Sequence, residues 1–389
     1  MTAEAMFNTS LPAELEELRS EVARFANEVV APVAALHDEQ KSFPYAVVAQ
    51  MAQMGLFGLP FPEELGGMGG DYLTLCIALE ELARVDQSVA VTLEAAVSLG
   101  AMPVFRFGTQ EQKSRWLPEL ISGTALGAFA LTESGAGSDA SAMRTSAVET
   151  DGGWVIDGTK EFITNCGTTI TSLITVCAVT GTKSDGRKEY STFLVPAGTP
   201  GVEVQPAYSK VGWHASDTHP ITFTGVRVGV DALLGERGRG YANFLSILDE
   251  GRIAIAALAT GAAQGCVDES IKYAQQREAF GRPIAGFQSI SFMIADMEAR
   301  TQVARAMWRH AASLMQQGKP FKKEAAIAKL VSSDAAMQNA RCATQIHGGY
   351  GFMNEYPVAR QYRDSKILEI GEGTNEVQKI LIARELGLS

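Results

Sequence analysis

Leu15, Leu18, Val22, Phe25 and Val29 recur at helical spacing, with acids and arginines between them. The spacing predicts an amphipathic helix over residues 11–36, with Ser10 as its N-cap. Pro60, Pro62 and a cluster of glycines then predict a loop from Gly58 to Gly70. Helical spacing resumes at Leu73–Val85 and continues to about Leu120. These patterns predict an all-α unit over residues 1–123.

The texture changes after Gly123. Trp154–Ile156, Ser172–Thr180, Tyr190–Val195, Val202–Val204 and Ile221–Val228 are short and rich in Val, Ile and Thr, with Gly, Asp and Pro between them. This is the pattern of antiparallel strands and turns, and it predicts a β unit over residues 124–236. Helical spacing returns at Tyr241 and predicts helices over Tyr241–Arg277, Ser289–Gln317, Lys322–Gly348 and Thr374–Leu386. Long helices with few breaks predict a four-helix bundle over residues 237–389. The expected fold is therefore α+β and multidomain: α unit, antiparallel β unit, α bundle. A G-x-G-x-x-G between strand and helix is absent, as is a Walker A segment, so a bound dinucleotide would not lie in a Rossmann fold.

Composition narrows the function classes. The 389 residues are 46% hydrophobic and 20% charged, which suits a globular protein with a large core. A net charge of −11 argues against nucleic-acid binding but leaves room for one anionic ligand held locally. Five scattered cysteines contain no CxxC pair, so buried free thiols are expected rather than disulfides or a metal site. His37, His214, His219 and His310 have no metal-ligand spacing. Met293, Met297 and Met307 read as core filler. The first ten residues lack basic residues and a long apolar run, and the Ala-rich stretch Ile253–Val267 is too short to span a bilayer. A cytoplasmic protein without membrane insertion is expected.

Candidate chemistry lies in a few segments. Glu372 stands between Gly371 and Gly373, which lets backbone or ligand approach a single acid closely; it also fits a solvated turn. The small residues of Ser134-Gly135-Ala136-Gly137-Ser138 would let main-chain N–H groups approach a phosphate or ring, or form an ordinary Gly-Ser turn. In Asp249-Glu250-Gly251-Arg252, an Arg at a helix start opposes the helix dipole, which favours a ligand contact. His347 beside Gly348 and Gly349 reads as structural.

Three segments in order, Leu131-Thr132-Glu133-Ser134-Gly135-Ala136-Gly137-Ser138-Asp139, Arg277-Glu278-Ala279-Phe280-Gly281 and Gly371-Glu372-Gly373-Thr374-Asn375-Glu376, resemble the acyl-CoA dehydrogenase family over nearly the whole chain. The resemblance implies that Phe129, Leu131, Thr132, Gly137 and Ser138 line FAD, with Ser138 also near the CoA chain. Phe162-Ile163-Thr164 matches a second flavin contact, with Phe162 where the family more often has Trp. Arg277, Gln288 and Gln345-Ile346-His347-Gly348-Gly349 match residues that reach the FAD of a neighbouring subunit, which implies a homotetramer built as a dimer of dimers. Thr374, Asn375 and Glu376 fall with the cofactor contacts. Asp249, Glu250, Gly251, Arg252, Gly371 and Gly373 fall with the substrate contacts.

The resemblance further implies FAD-dependent α,β-dehydrogenation of an acyl-CoA, with Glu372 as the base. Some members carry that base on the preceding long helix, but here Gly251 occupies the position. Electrons would pass to an electron-transferring flavoprotein. Gly371, where straight-chain relatives often have Tyr, implies a short or branched acyl group, from fatty-acid or branched-chain amino-acid breakdown. An acyl-CoA oxidase and a non-catalytic CoA-binding protein are the alternatives.

Overall fold

Three blocks follow one another in the computed structural model, which describes residues 11–388: helices up to Ser122, a sheet between Leu126 and Leu234, and helices from Gly240 onward. The first helix begins at Ala13 with Pro12 at its N-cap position; Ser10 lies outside the described residues. It turns inward on Val22 and Phe25, loosens into a π turn at Ala26–Val30, and continues as Ala31–Gln40. The Gly-Pro segment contains only short 3-10 turns. Asp71 caps the Tyr72–Val85 helix by accepting from Thr74 N at 3.0 Å. Thr109 and Gln112 form a capping box on Gln110–Ser122, and that helix stops at Gly123.

The run Gln87–Phe107 is long and apolar enough to cross a membrane by composition, but 89% of its most apolar window is buried within the protein. It is a core helix, α-helical to Glu94, π-helical over Ala95–Ala101 and α-helical again from Met102.

The sheet contains β1 (Leu126–Ala130), β2 (Ser146–Thr150), β3 (Gly153–Thr164), β4 (Thr171–Thr182), β5 (Lys188–Pro196), β6 (Val202–Val204), β7 (Thr218–Gly229) and β8 (Leu233–Leu234). Its order is β6-β7-β3-β2-β4-β5-β8, with β1 also on β4. The pairings are antiparallel except where β1 and β2 meet β4. Neither β1 nor β2 is among the strands expected from the sequence. Leu-Gly-Ala-Phe-Ala has no β-branched residue, and tertiary pairing with β4 decides its conformation.

The last block holds the helices Gly240–Gln276, Gln288–Gln316, Lys322–His347 and Asn375–Glu385, each within a residue or so of expectation. A further helix, Pro357–Ser365, has no counterpart in the sequence reading. The small residues of the long helix let another backbone lie directly on it. A Cβ at Gly261 would collide with the Glu80 carbonyl of the Tyr72–Val85 helix. As a result the two helical blocks share one core, in which Val22, Met51, Leu75 and Leu79 join Ile253, Leu258, Trp308 and Ala328. The sheet has a core of its own, around Trp154, Ile156, Phe193 and Phe223. Met297 is fully buried, and Met293 and Met307 pack against the helical cores.

Candidate active site

The turn that carries Glu372 is held from both sides. The 3-10 turn Lys366–Glu369 closes with Gly371 N donating to Ile367 O at 2.7 Å. Beyond it, Thr374 is the N-cap of the last helix and accepts from Val377 N at 3.3 Å. The Gly373 carbonyl accepts from Lys329 Nζ at 2.9 Å and Gln378 Nε2 at 2.8 Å. Asn375 Oδ1 accepts from Lys329 Nζ (3.1 Å) and Ser333 Oγ (2.9 Å), while its amide donates to Asp334 (2.9 Å). Asn375 thus fastens the turn to the Lys322–His347 helix, and Glu376 is exposed in the first turn beyond it. Between these anchors Glu372 takes φ +50°, a left-handed conformation costly for a residue with a side chain.

The strained turn aims the Glu372 carboxylate inward. Its Oε2 is enclosed, and no donor of the described chain reaches it. A Cβ built on Gly251 would stand 2.6 Å from that oxygen. Burial pushes Glu372 up to about 7; the neighbouring Glu94 carboxyl and the charges of Arg252 and Lys329 pull it back. Burial in turn lowers the Lys329 ammonium to about 8, partly offset by Glu372.

Asp249-Glu250-Gly251-Arg252 differs from expectation. These residues lie inside the Gly240–Gln276 helix rather than before it, so the dipole argument for Arg252 does not apply. Arg252 is buried and ion-paired with Asp249, which also meets Lys322 at 3.1 Å. Glu250 turns to Arg106 at 3.1 Å. Gly251 of the four lies directly against the Glu372 carboxylate by having no side chain, and the Arg252 charge also acts on it.

The segments at 129–138 and 162–164 come together. Phe129, on β1, stacks on Phe244 with centroids 4.0 Å apart. Thr132 O accepts from Glu161 N at 2.8 Å. Lys160, fully buried on β3, donates to Leu131 O and to the Glu133 carboxylate, both at 2.9 Å. That carboxylate also accepts from the N–H groups of Arg144 (2.7 Å) and Thr145 (2.9 Å). The pair therefore bolts the 131–133 segment to the strand carrying Phe162, Ile163 and Thr164. Ile163 is buried, whereas Phe162 is 62% exposed at φ +61°, its ring 5.1 Å from Tyr208. Gly137 and Ser138 are exposed, and nothing lies within 4 Å of a Cβ at Gly135 or Gly137. An outward aromatic beside an open run of small residues fits a flat ring with a phosphate tail.

A second cluster lies elsewhere. Arg277, Ile346, His347, Gly348 and Gly349 line a cavity of about 780 Å³ together with Phe280, which is 97% exposed at φ +54°. Gln288 begins the helix beside it, and Gln345 is exposed one residue before it. His347 stacks on Tyr273 at 4.1 Å, with Nδ1 2.8 Å from Ala343 O, a packed structural role. The lining includes none of residues 129–138, 162–164 or 371–373.

Comparison with known proteins gives a consistent result. Family models described as the N-terminal, middle and C-terminal domains of acyl-CoA dehydrogenase match residues 12–124, 128–226 and 238–387. The chain belongs to the acyl-CoA dehydrogenase family. A Bacillus subtilis protein named a probable acyl-CoA dehydrogenase is 46% identical over 97% of this chain and 99% of its own. The structure of butyryl-CoA dehydrogenase from Megasphaera elsdenii superposes with a TM-score of 0.94 at 41% identity, covering 98% and 100% of the two chains. A chain from a structural study of the electron transferring flavoprotein of Acidaminococcus fermentans matches at TM-score 0.94 and 40% identity, covering 98% and 99%.

Acyl-CoA dehydrogenases are flavoproteins, and the exposed Phe162 with the open positions at Gly135 and Gly137 leaves room for such a group. Two site residues of this acyl-CoA dehydrogenase, Lys160 and Glu94, are not among those expected from the sequence. Both were visible in part. Lys160 falls on the inward side of β3, in register with Trp154 and Ile156, and Glu94 is the only ionisable group between Asp86 and Arg106.

Proposed function

We propose that the enzyme removes an α-proton and a β-hydrogen from a short or branched acyl-CoA, giving the trans-2-enoyl-CoA, with Glu372 as the base. The observation that carries this reading is the enclosed Glu372 carboxylate, pressed against Gly251 and raised by burial to about 7. An α-proton beside a thioester is weakly acidic, and a carboxylate with a raised pKa near working pH removes it best. Among the described residues no group accepts from the Glu372 N–H, which leaves that donor for the thioester oxygen as negative charge develops there.

Thr132, Ser138, Phe162 and Thr164 would hold FAD, and Arg277 with the Ile346–Gly349 segment would hold a neighbour's. FAD, when bound, supplies the acceptor for the β-hydrogen as hydride. The separation of the two clusters within one chain supports a homotetramer in which each FAD touches two subunits. The likeness to a chain from work on an electron transferring flavoprotein supports that protein as acceptor. The butyryl-CoA dehydrogenase relative and the bare Gly371 support a short or branched acyl group.

The test is Glu372→Gln, mixed anaerobically with butyryl-CoA. The variant keeps FAD and binds the ester, and flavin bleaching slows by about a hundred- to ten-thousand-fold. Near-normal bleaching would remove Glu372 from the role.

A further inference from the structure

A second carboxylate lies at the site. Glu94 ends the α-helical part of the apolar Gln87–Phe107 run, immediately before its π segment, and is fully buried. Neither of its oxygens meets a donor from the described chain, and the same holds for Glu372 Oε2. The two acids converge on one place: a Cβ on Gly251 would be 2.6 Å from Glu372 Oε2 and 3.9 Å from Glu94 Oε1. Two ionised carboxylates offer each other no donor. A hydrogen bond between them exists only when one holds a proton.

We propose that Glu94 is a positioning residue that holds a proton and donates it in a hydrogen bond to Glu372, so that the pair carries one negative charge and Glu372 enters the reaction ionised. The inference rests on Glu372 being the base.

The surroundings settle which member keeps the proton. Arg252 and Lys329 bias Glu372 toward its charged form. Among the described residues no such cation acts on Glu94. Its other neighbours are Tyr72 and Cys76 on the facing helix and Ser98 one turn along its own. Burial and the charge of Glu372 hold Glu94 well above the usual carboxylate range. Tyr72 is not free to replace it, because its hydroxyl is hydrogen-bonded to Ser98 Oγ at 2.9 Å. During the reaction the α-proton arrives on Glu372, and the pair goes from one negative charge to none. Glu94 keeps its own proton throughout. Its contribution is to stabilise the charged base in a pocket that would otherwise neutralise it, and to fix the carboxylate's direction.

The test compares Glu94→Gln, which keeps a donor but cannot ionise, with Glu94→Ala, which has neither property. In the FAD-loaded enzyme, the rate of anaerobic flavin reduction is followed against pH. Loss of the donor moves the rising limb alkaline by about one unit in Glu94→Ala, roughly tenfold slower below the limb. The limb of Glu94→Gln lies nearer to wild type. Equal shifts in both variants, or none in either, overturn the proposal. Infrared difference spectra supply a readout independent of turnover. Wild type minus Glu94→Gln, taken above the limb, shows the C=O band of a buried protonated carboxyl; its absence overturns the proposal even if Glu94→Ala does not fold. This band does not depend on Glu372 being the base, whereas bleaching by Glu372→Gln does, so the two readings fail separately.

Discussion

The Glu372 carboxylate occupies the space that a side chain at position 251 would fill. The turn and the long helix are far apart in sequence, yet each fits the other: one delivers an acid, and the other omits a Cβ to receive it. The identity of residue 251 is therefore coupled to the location of the base.

Gly251→Ala tests that coupling. The new methyl group would have to displace Glu372 Oε2, since 2.6 Å is below any ordinary Cβ contact. Misplacing a reacting group by about 1 Å costs on the order of a hundredfold in rate. The expected result is a fall in kcat of that order with FAD content unchanged, measured by stopped-flow bleaching and flavin absorbance.

Glu372 also gives the protein a pH signature. Its folded value is raised to about 7 from an ordinary 4.5. The base is therefore protonated and inactive below about 7, and flavin reduction rises with pH through that region. Stability runs the opposite way, because the folded state binds the proton more tightly than the unfolded chain does. Stability from this group is fully present below about 4.5 and is lost progressively as pH rises to 7. Glu372→Gln should thus melt above wild type at pH 8, with the gap closing by pH 4.5. Equal Tm differences at both pH values would contradict this.

Lys160 gives a structural prediction. It is fully buried, and its ammonium holds both Leu131 O and Glu133. Lys160→Ala leaves the Glu133 carboxylate with two backbone N–H donors but without its cation, and breaking a buried pair from one side costs about 3–5 kcal/mol. Chemical denaturation should show a loss of that order. Gel filtration should also show FAD leaving the variant, because the 131–138 segment is no longer tied to β3.

Gly371→Tyr probes acyl selectivity. Position 371 tolerates a side chain: its φ is not left-handed, and a Cβ would meet only Ile367 O at 3.4 Å and Ile367 Cγ1 at 3.9 Å. The ring would fill space beside the reacting carbons. The expected outcome is a selective loss in kcat/KM of about tenfold or more for isobutyryl-, 2-methylbutyryl- and isovaleryl-CoA relative to butyryl-CoA. Equal losses for straight and branched esters would sink the pocket argument.

The three-block order was legible because strand and helix periods differ sharply on either side of Gly123 and Gly240. Glu372 was legible because its motif is contiguous. Gly251 was identified by position, and the expected helix Tyr241–Arg277 already contains it; reading Asp249-Glu250-Gly251-Arg252 as a helix start was the error, because a glycine beside two acids resembles a turn even inside a helix. β1 escaped because its conformation comes from pairing with β4 rather than from its own residues. Glu94 and Lys160 escaped as site residues because burial makes each of them matter, and burial belongs to the fold.

The core shared by the two helical blocks has a consequence for synthesis. The Tyr72–Val85 helix buries its apolar face against Ile253–Ala263, which leave the ribosome roughly 180 residues later, a wait on the order of 10–40 s at typical elongation rates. The sheet, with its separate core, can close in the meantime. The first helices to be made therefore wait for their partners while roughly 180 of the 389 residues are added, and the nascent chain carries their apolar faces exposed over nearly half of its translation. Chaperone dependence in this protein should map to its N-terminal third, the part farthest in sequence from the base it helps to enclose.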